Sequence, residues 1–190
     1  INDLLRQPGL RHSGVTVAGL GHRRTPGLLF ADDLVLVTET VEAMQAALNA
    51  VSDWGVLNEM SFGATKCGVM GMGEGAGEVV RLVATEQGWR IGAAPGAPVP
   101  VVTSYKYLGL VFDENLSLET MAKARAEAGS MALRRLAPTL TSLHTPLAVR
   151  RMLVCSILLP VLTYGGEVWG GRHKSCKLPQ RILDRALRML

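Results

Sequence analysis

The sequence predicts an α+β fold, an antiparallel sheet with one packed helix followed from about residue 115 by an all-helical part. Three observations predict it. Two apolar runs, Gly27-Leu28-Leu29 and Leu34-Val35-Leu36-Val37, flank Phe30-Ala31-Asp32-Asp33; Val, Leu and Phe favour strands and Asp favours turns, so the segment reads as a hairpin with acids near its tip. Val41, Met44, Leu48 and Val51 recur at helical spacing. Leu118, Met121, Ala122, Arg125, Ala128, Met131, Ala132 and Arg135 trace a longer helix with one apolar and one basic side.

At 190 residues, 48% hydrophobic and 19% charged, the chain belongs to the globular class and is long enough for one domain or two small ones. Gly9, Gly14, Gly19, Gly21 and Pro26 make residues 1–26 loop-like around a short strand at 15–18. After the acidic hairpin, a helix over 40–54 has Glu39 and Glu42 near its positive end and Gly55 as its stop. Residues 58–70 then read as a turn into a short strand, carrying Lys66, the only Lys of the first hundred residues. The glycine-rich stretch 71–77 lacks Gly-Lys-Ser/Thr and reads as a flexible turn, not a phosphate loop. Strands follow at 79–84 and 89–91, then a Pro-rich link at 94–100 and a strand pair in Tyr105-Lys106-Tyr107-Leu108-Gly109-Leu110-Val111-Phe112-Asp113.

In the second part, Thr145-Pro146 opens a helix whose apolar face is Val149, Met152, Leu153 and Ile157, and Pro160 bends or breaks it. The apolar run 152–164 is too short to span a bilayer, so no membrane role is expected. Arg172-His173-Lys174 reads as a basic loop, and 180–190 as an amphipathic helix. Cys67, Cys155 and Cys176 lack zinc-ligand spacing and suit a reduced compartment, while His12, His22, His144 and His173 are too scattered for a metal site. The chain opens on Ile1 and Asn2-Asp3-Leu4-Leu5 as if inside an element, and it closes inside a helix, which is expected of a fragment.

Charge is unevenly divided. Residues 1–117 hold 8 Lys and Arg against 12 Asp and Glu, whereas residues 118–190 hold 12 against 4. A basic half beside a half bearing an acid pair fits a polyanion gripped by one part and processed by the other; a solvated basic helix surface has the same composition. The acids have two readings as well. Adjacent carboxylates repel unless protonated, solvated or neutralised by a cation, and their hard oxygens suit Mg²⁺, although a water-exposed turn needs no metal. Lys66 is either an exposed cation or a donor that assists a leaving pyrophosphate. The Tyr-Lys-Tyr-Leu-Gly segment either packs as a strand or grips sugar and phosphate.

The ordered set Phe-Ala-Asp-Asp, helix, Asn58-Glu59-Met60-Ser61-Phe62 with Lys66-Cys67, then Tyr105 to Gly109, resembles a reverse transcriptase of the non-LTR retrotransposon type, nearly end to end. Asn2-Asp3-Leu4-Leu5 is similar to the end of that family's palm helix, and Pro146-Leu147 through Tyr164-Gly165-Gly166-Glu167-Val168-Trp169 resembles its helical thumb. The resemblance implies a partial polymerase palm over 1–114 and a truncated thumb over 115–190. It implies RNA-directed DNA polymerisation on an RNA template and DNA primer with deoxynucleoside triphosphates, and nuclear action inside the cell. Asp32 and Asp33 would help hold two Mg²⁺ ions, Lys66 would assist pyrophosphate departure, and Tyr105, Lys106, Tyr107, Leu108 and Gly109 would be the primer grip. Arg134, Arg135, Arg150 and Arg151 would contact phosphates of the duplex.

The family's other metal-binding Asp lies on a strand upstream of the matched segment, as do its fingers, so the chain by itself is expected to be inactive. Gly63 stands where relatives often carry Asn. Two alternatives stay open: a non-catalytic nucleic-acid-binding relic of such an element, and a palm-like nucleotide cyclase, which would share the acidic hairpin but not need the segments after it.

Overall fold

The computed structural model describes residues 3–11, 13–19 and 24–190, with His173 described through its backbone alone. Ile1, Asn2, His12, Gly21 and His22, named above, lie outside the described residues. The chain forms two compact units, Ile1–Thr103 and Ser104–Leu190, and the fold is mixed α and β. The division falls ahead of the 104–113 hairpin, which therefore groups with the helices; the sequence reading divides the chain after residue 114.

In the first unit, a 3₁₀ turn at Leu4–Arg6 and the short helix α1 (Pro8–Arg11) bury Leu4 and Leu10 where loop was expected. Strands β1 (Val15–Thr16) and β2 (Arg24–Thr25) pair antiparallel, as do β3 (Gly27–Phe30) and β4 (Asp33–Leu36), with Gly27 opposite Leu36 and Phe30 opposite Asp33. Helix α2 (Val41–Leu57) starts at Thr40, whose hydroxyl accepts the Ala43 N–H at 3.2 Å, as a capping threonine should. Ala47, Leu48, Val51 and Trp54 form its buried stripe, and Val41 and Met44 pack against that core from its edge. Gly55 does not stop the helix. It lies inside α2, and a Cβ there would stand 2.6 Å from the Phe62 ring, so its role is close packing.

Residues 79–84, expected as a strand, are helical within α3 (Ala76–Glu86). Val80, Val83 and Ala84 pack inward at i, i+3 and i+4, while Val79 and Leu82 point outward; a short run of Val and Leu fits either period until its neighbours choose. β5 (Trp89–Ile91) pairs antiparallel with β6 (Ala97–Val99), and the buried Trp89 donates its indole N–H to the Val80 carbonyl at 3.2 Å. Ser52 joins α2 to this hairpin, donating to Leu48 O at 2.7 Å and accepting from the Gly92 N–H at 2.8 Å. Among the described residues the antiparallel ladders are four separate two-stranded pairs, where one sheet was expected.

The second unit begins with β7 (Ser104–Tyr107) and β8 (Leu110–Asp113), joined by Leu108-Gly109. Leu110 and Phe112 pack against Met121, Ala122 and Trp169, which ties the hairpin to the helices. Helix α4 (Leu118–Leu140) is capped by Ser117 Oγ, which accepts from the Thr120 N–H. Helix α5 begins one residue later than expected (Leu147–Leu153), with Pro146 at its cap, and runs through a π turn (Val154–Leu158) into α6 (Leu159–Thr163).

Two expectations about this segment are corrected. Pro160, expected to bend or break the helix, does not break it, because the preceding turn widens: the Leu159 N–H bonds Val154 O, five residues back, accommodating the ring and the missing donor. Of the expected apolar face, Val149, Met152 and Ile157 turn outward, Met152 59% and Ile157 42% exposed, while Leu153 packs against the core. Val154, Leu158 and Leu162 take the core positions instead, in a cluster with Leu133, Leu140 and Ala186. Helix α7 (Gly166–Trp169) and helix α8 (His173–Leu187) complete the unit. His173 and Lys174 belong to the first turn of α8, not to a loop, and Lys174 pairs with Glu119 at 2.8 Å.

Candidate functional site

Asp32 and Asp33 sit at the tip of the β3–β4 hairpin. Ala31 and Asp32 form its two-residue loop and Asp33 is the first residue of β4. Ala31 holds φ at +53°, a left-handed conformation that hairpin loops of this length require and that costs any residue with a Cβ. Gly27, at the other end, faces the Val35 carbonyl where a Cβ would collide, so the strands close tightly. Both aspartates are exposed, and neither carboxylate makes a hydrogen bond or ion pair with a described residue. Leu28 and Phe30, two apart on one face of β3, are 55% and 63% exposed, so the hairpin presents an uncovered apolar face beside its acids.

As metal ligands the pair has the right chemistry, hard anionic oxygens open to water, and too few members. Among the described residues no group of three or more His, Cys, Asp or Glu is placed to hold an ion. Two carboxylates leave most of an octahedral Mg²⁺ shell to water and substrate phosphates, which is how Mg²⁺ is ordinarily held. The residues therefore fit part of such a site. Lys66 ends a 3₁₀ turn (Ala64–Lys66) of the same unit and is exposed. Gly63 caps that turn at an ordinary φ of −76°, and a Cβ there would meet nothing closer than 3.8 Å, so the backbone does not demand glycine. Cys67 beside it donates to Gly63 O, and burial pushes its thiol up.

The Tyr105–Gly109 segment forms strand β7 and the loop to β8. Tyr105 and Tyr107 share one face and Lys106 takes the other. Both loop residues have positive φ, Leu108 at +45° and Gly109 at +80°, so the tip is tightly wound. Two side chains of the same unit hold it. The Tyr164 hydroxyl donates to Leu108 O at 2.7 Å, and Arg125 Nη2 donates to Gly109 O at 2.8 Å. The Arg125 guanidinium stands 5.4 Å from the centre of the Tyr164 ring, a cation–π distance. Its Nε is buried without a hydrogen-bond partner among the described residues. A Cβ on Gly109 would meet Tyr164 Cε1 at 3.1 Å, so only glycine lets the ring lie this close.

Sequence reasoning missed this clamp, because Arg125 reads as one more cation on the basic side of α4 and Tyr164 lies far along the chain. Its one signal in the sequence is a glycine beside each contact, Gly109 and Gly165.

At the base of the hairpin, Asp113 Oδ1 accepts the Ser117 and Asn115 N–H groups at 2.8 and 3.2 Å, and Oδ2 accepts the Thr120 hydroxyl at 2.6 Å. Burial pushes its carboxyl up, but the hydrogen bonds from Ser117, Thr120 and Asn115 outweigh that and hold it below the ordinary range. Of the four arginines expected on phosphates, Arg134, Arg135 and Arg151 are exposed. Arg150 is half-buried and already engaged: its Nε donates to Thr145 O at 2.7 Å, and Nη1 lies 3.3 Å from both Leu140 O and Leu190 O. It holds the end of α4 and is poorly placed to meet a phosphate.

No protein-family model, curated protein or solved structure matches the chain. Among the described residues no helix is long and apolar enough to cross a membrane.

Proposed function

We propose that the chain is palm and thumb of an RNA-directed DNA polymerase and contributes two of its metal-binding acids. The observation that carries this reading is the tip of β3–β4, where two adjacent carboxylates stand open to solvent without a partner among the described residues while the hairpin around them is tightly closed. The order of segments along the chain adds to it, since a second hairpin bearing Tyr and Lys precedes a basic helical unit.

Two Mg²⁺ ions, when bound, would supply activation of the primer 3′-hydroxyl and neutralisation of charge on the leaving pyrophosphate. Asp32 and Asp33 would hold them, Asp32 most directly. Lys66 would donate a proton or its charge to the departing pyrophosphate. The Tyr105–Gly109 hairpin would set the primer end, where a small displacement spoils in-line attack. A third acid has to come from outside the described residues, and the exposed Leu28 and Phe30 suit a covering strand that would bring it.

The test is primer extension on an RNA template by the full-length protein that contains these residues, with and without Asp32→Ala. Loss of extension with retained hybrid binding is expected; undiminished extension by the variant would overturn the assignment.

The basic charge of the second part supports one second reading. The charge of the helical unit serves binding even where no turnover occurs, so a relic that only binds nucleic acid would retain salt-sensitive hybrid binding and show no Mg²⁺-dependent extension in the full-length protein.

A further inference from the structure

Helix α2 carries Gln45, Asn49 and Asp53 four residues apart, so they form one row about 12 Å long at 1.5 Å of rise per residue, roughly opposite the buried stripe. The row is one wall of a groove of about 510 Å³; the other walls are Gln87 at the end of α3, Arg90 of β5 and the loop that joins β5 to β6. The groove lies within the first unit, and its volume falls in the range of about 300–1,000 Å³ that ligands fill. Ser52, beside the row, accepts the Gly92 N–H at 2.8 Å and so fastens the loop wall to the helix wall.

The polar groups along the groove are arranged by bonds among themselves. Gln45 Nε2 donates to Asn49 Oδ1 at 2.9 Å, which leaves Gln45 Oε1 as an acceptor and the Asn49 amide as a donor one helical turn apart. Arg90 Nη1 donates to Gly96 O at 2.9 Å and to Pro95 O at 3.3 Å, which anchors the guanidinium on the loop. Its Nε and Nη2 make no hydrogen bond with a described residue, and these two form the edge on which a carboxylate sits with two parallel bonds. The Asp53 carboxylate is exposed and pairs with no described residue.

This lining selects among ligand classes. Asp53 repels a polyanion. No aromatic ring among the described residues lines the groove for a base or a sugar to stack on, and Ala94 and Pro95 are its apolar side chains, too little surface for a lipid. An anchored guanidinium edge, a paired acceptor and donor, and a free carboxylate together match a chain that carries both charges and peptide units. We infer that the groove binds an extended stretch of about four residues of a partner protein, the length that spans the row at 3.3 Å per residue. A carboxylate of the partner sits on the Nε–Nη2 edge of Arg90, a peptide unit bonds the Gln45–Asn49 pair, and a cationic side chain meets Asp53. The site is separate from Asp32 and Asp33 and does not depend on the polymerase reading.

The test is a titration of the ¹⁵N-labelled full chain with two capped tetrapeptides, acetyl-Lys-Ala-Ala-Asp-amide and acetyl-Asp-Ala-Ala-Lys-amide, which present the charges in both directions. The side-chain amide resonances of Gln45, Asn49 and Gln87 and the Arg90 Nε–H report it by NMR. One of the two peptides shifts them saturably, with a dissociation constant on the order of 1 mM. Asp53→Asn, which takes no bond from the fold, weakens binding about threefold to fivefold, and Arg90→Gln does the same. With the aspartate of the peptide replaced by alanine, Arg90→Gln has no further effect while Asp53→Asn keeps its own. If Arg90→Gln disturbs the loop it anchors, Asp53→Asn against a peptide whose lysine is replaced by alanine completes the cycle alone.

No shift of these resonances with either peptide at about 10 mM, or undiminished binding by Asp53→Asn, overturns the inference. So does saturable binding of uridine monophosphate or maltose at these resonances without a response to peptide, which would assign the groove to nucleotides or sugars. None of these outcomes bears on extension by Asp32, so the two readings fail separately.

Discussion

The two hairpins with named roles share a plan and differ in how their tips are treated. Each has four-residue antiparallel strands closed by two residues. At β3–β4 only Ala31 takes a positive φ, and the adjacent carboxylates bond no described residue. At β7–β8 both tip residues take positive φ, and both of their carbonyls are held, by Tyr164 and by Arg125. A group that must capture an ion has to be left unpaired by its own chain, whereas a group that must position a substrate has to be fixed to something rigid. On the proposed reading, the contrast separates an ion-holding tip from a positioning one.

The largest effect that would break the comparison is on turnover. On the proposed polymerase reading, Asp32→Ala in the full-length protein is expected to abolish primer extension while leaving the melting curve unchanged, since no described residue loses a bond. Next comes Gly109→Val, which forces a β-branched residue to a φ of +80° against the Tyr164 ring; urea unfolding of the chain should show a loss of about 2 kcal/mol or more. Tyr164→Phe keeps the ring and deletes one hydrogen bond at a partly exposed site, for a loss of roughly 1 kcal/mol by the same assay. On the proposed polymerase reading it should also raise KM for primer more than it lowers kcat.

Ala31→Gly works in the opposite direction at the other tip. It relieves the left-handed alanine and should be neutral or stabilising by up to about 1 kcal/mol, with Mg²⁺ dependence retained. The smallest effect is on acidification. The Asp113 carboxyl is held below its ordinary value in the folded chain, so its contribution is fully present above the unfolded value of about 3.9 and is lost as pH falls through the lower folded value. Circular-dichroism melts in acid should show a parent chain losing more stability than Asp113→Asn does over that window. Solvent around this partly exposed group keeps the difference small.

Much of the local structure was legible because it rests on nearest neighbours. The strands around Asp32 and Asp33, the helix that starts near Thr40, the β5 strand and the strand pair over 105–113 follow from apolar periodicity and strand propensity. Residues 79–84 misled because their Val and Leu satisfy two periods, and packing of Val80 beneath the Trp89 indole selected the helix. Gly55 misled because a glycine that admits a neighbouring ring is indistinguishable in sequence from one that ends a helix. Met152 and Ile157 were read as core by their apolarity, whereas the π turn rotates Leu158 and Leu162 into that position.

The same division applies to the candidate site. Adjacent acids between strand-forming runs, a lone Lys66 and a basic second part were visible in the sequence, because composition and spacing along the chain set them. The clamp on Leu108 and Gly109 and the diversion of Arg150 to carbonyls were decided only by tertiary structure. A side chain's charge is a local property, but whether that charge is neutralised depends on what the fold brings within hydrogen-bond reach.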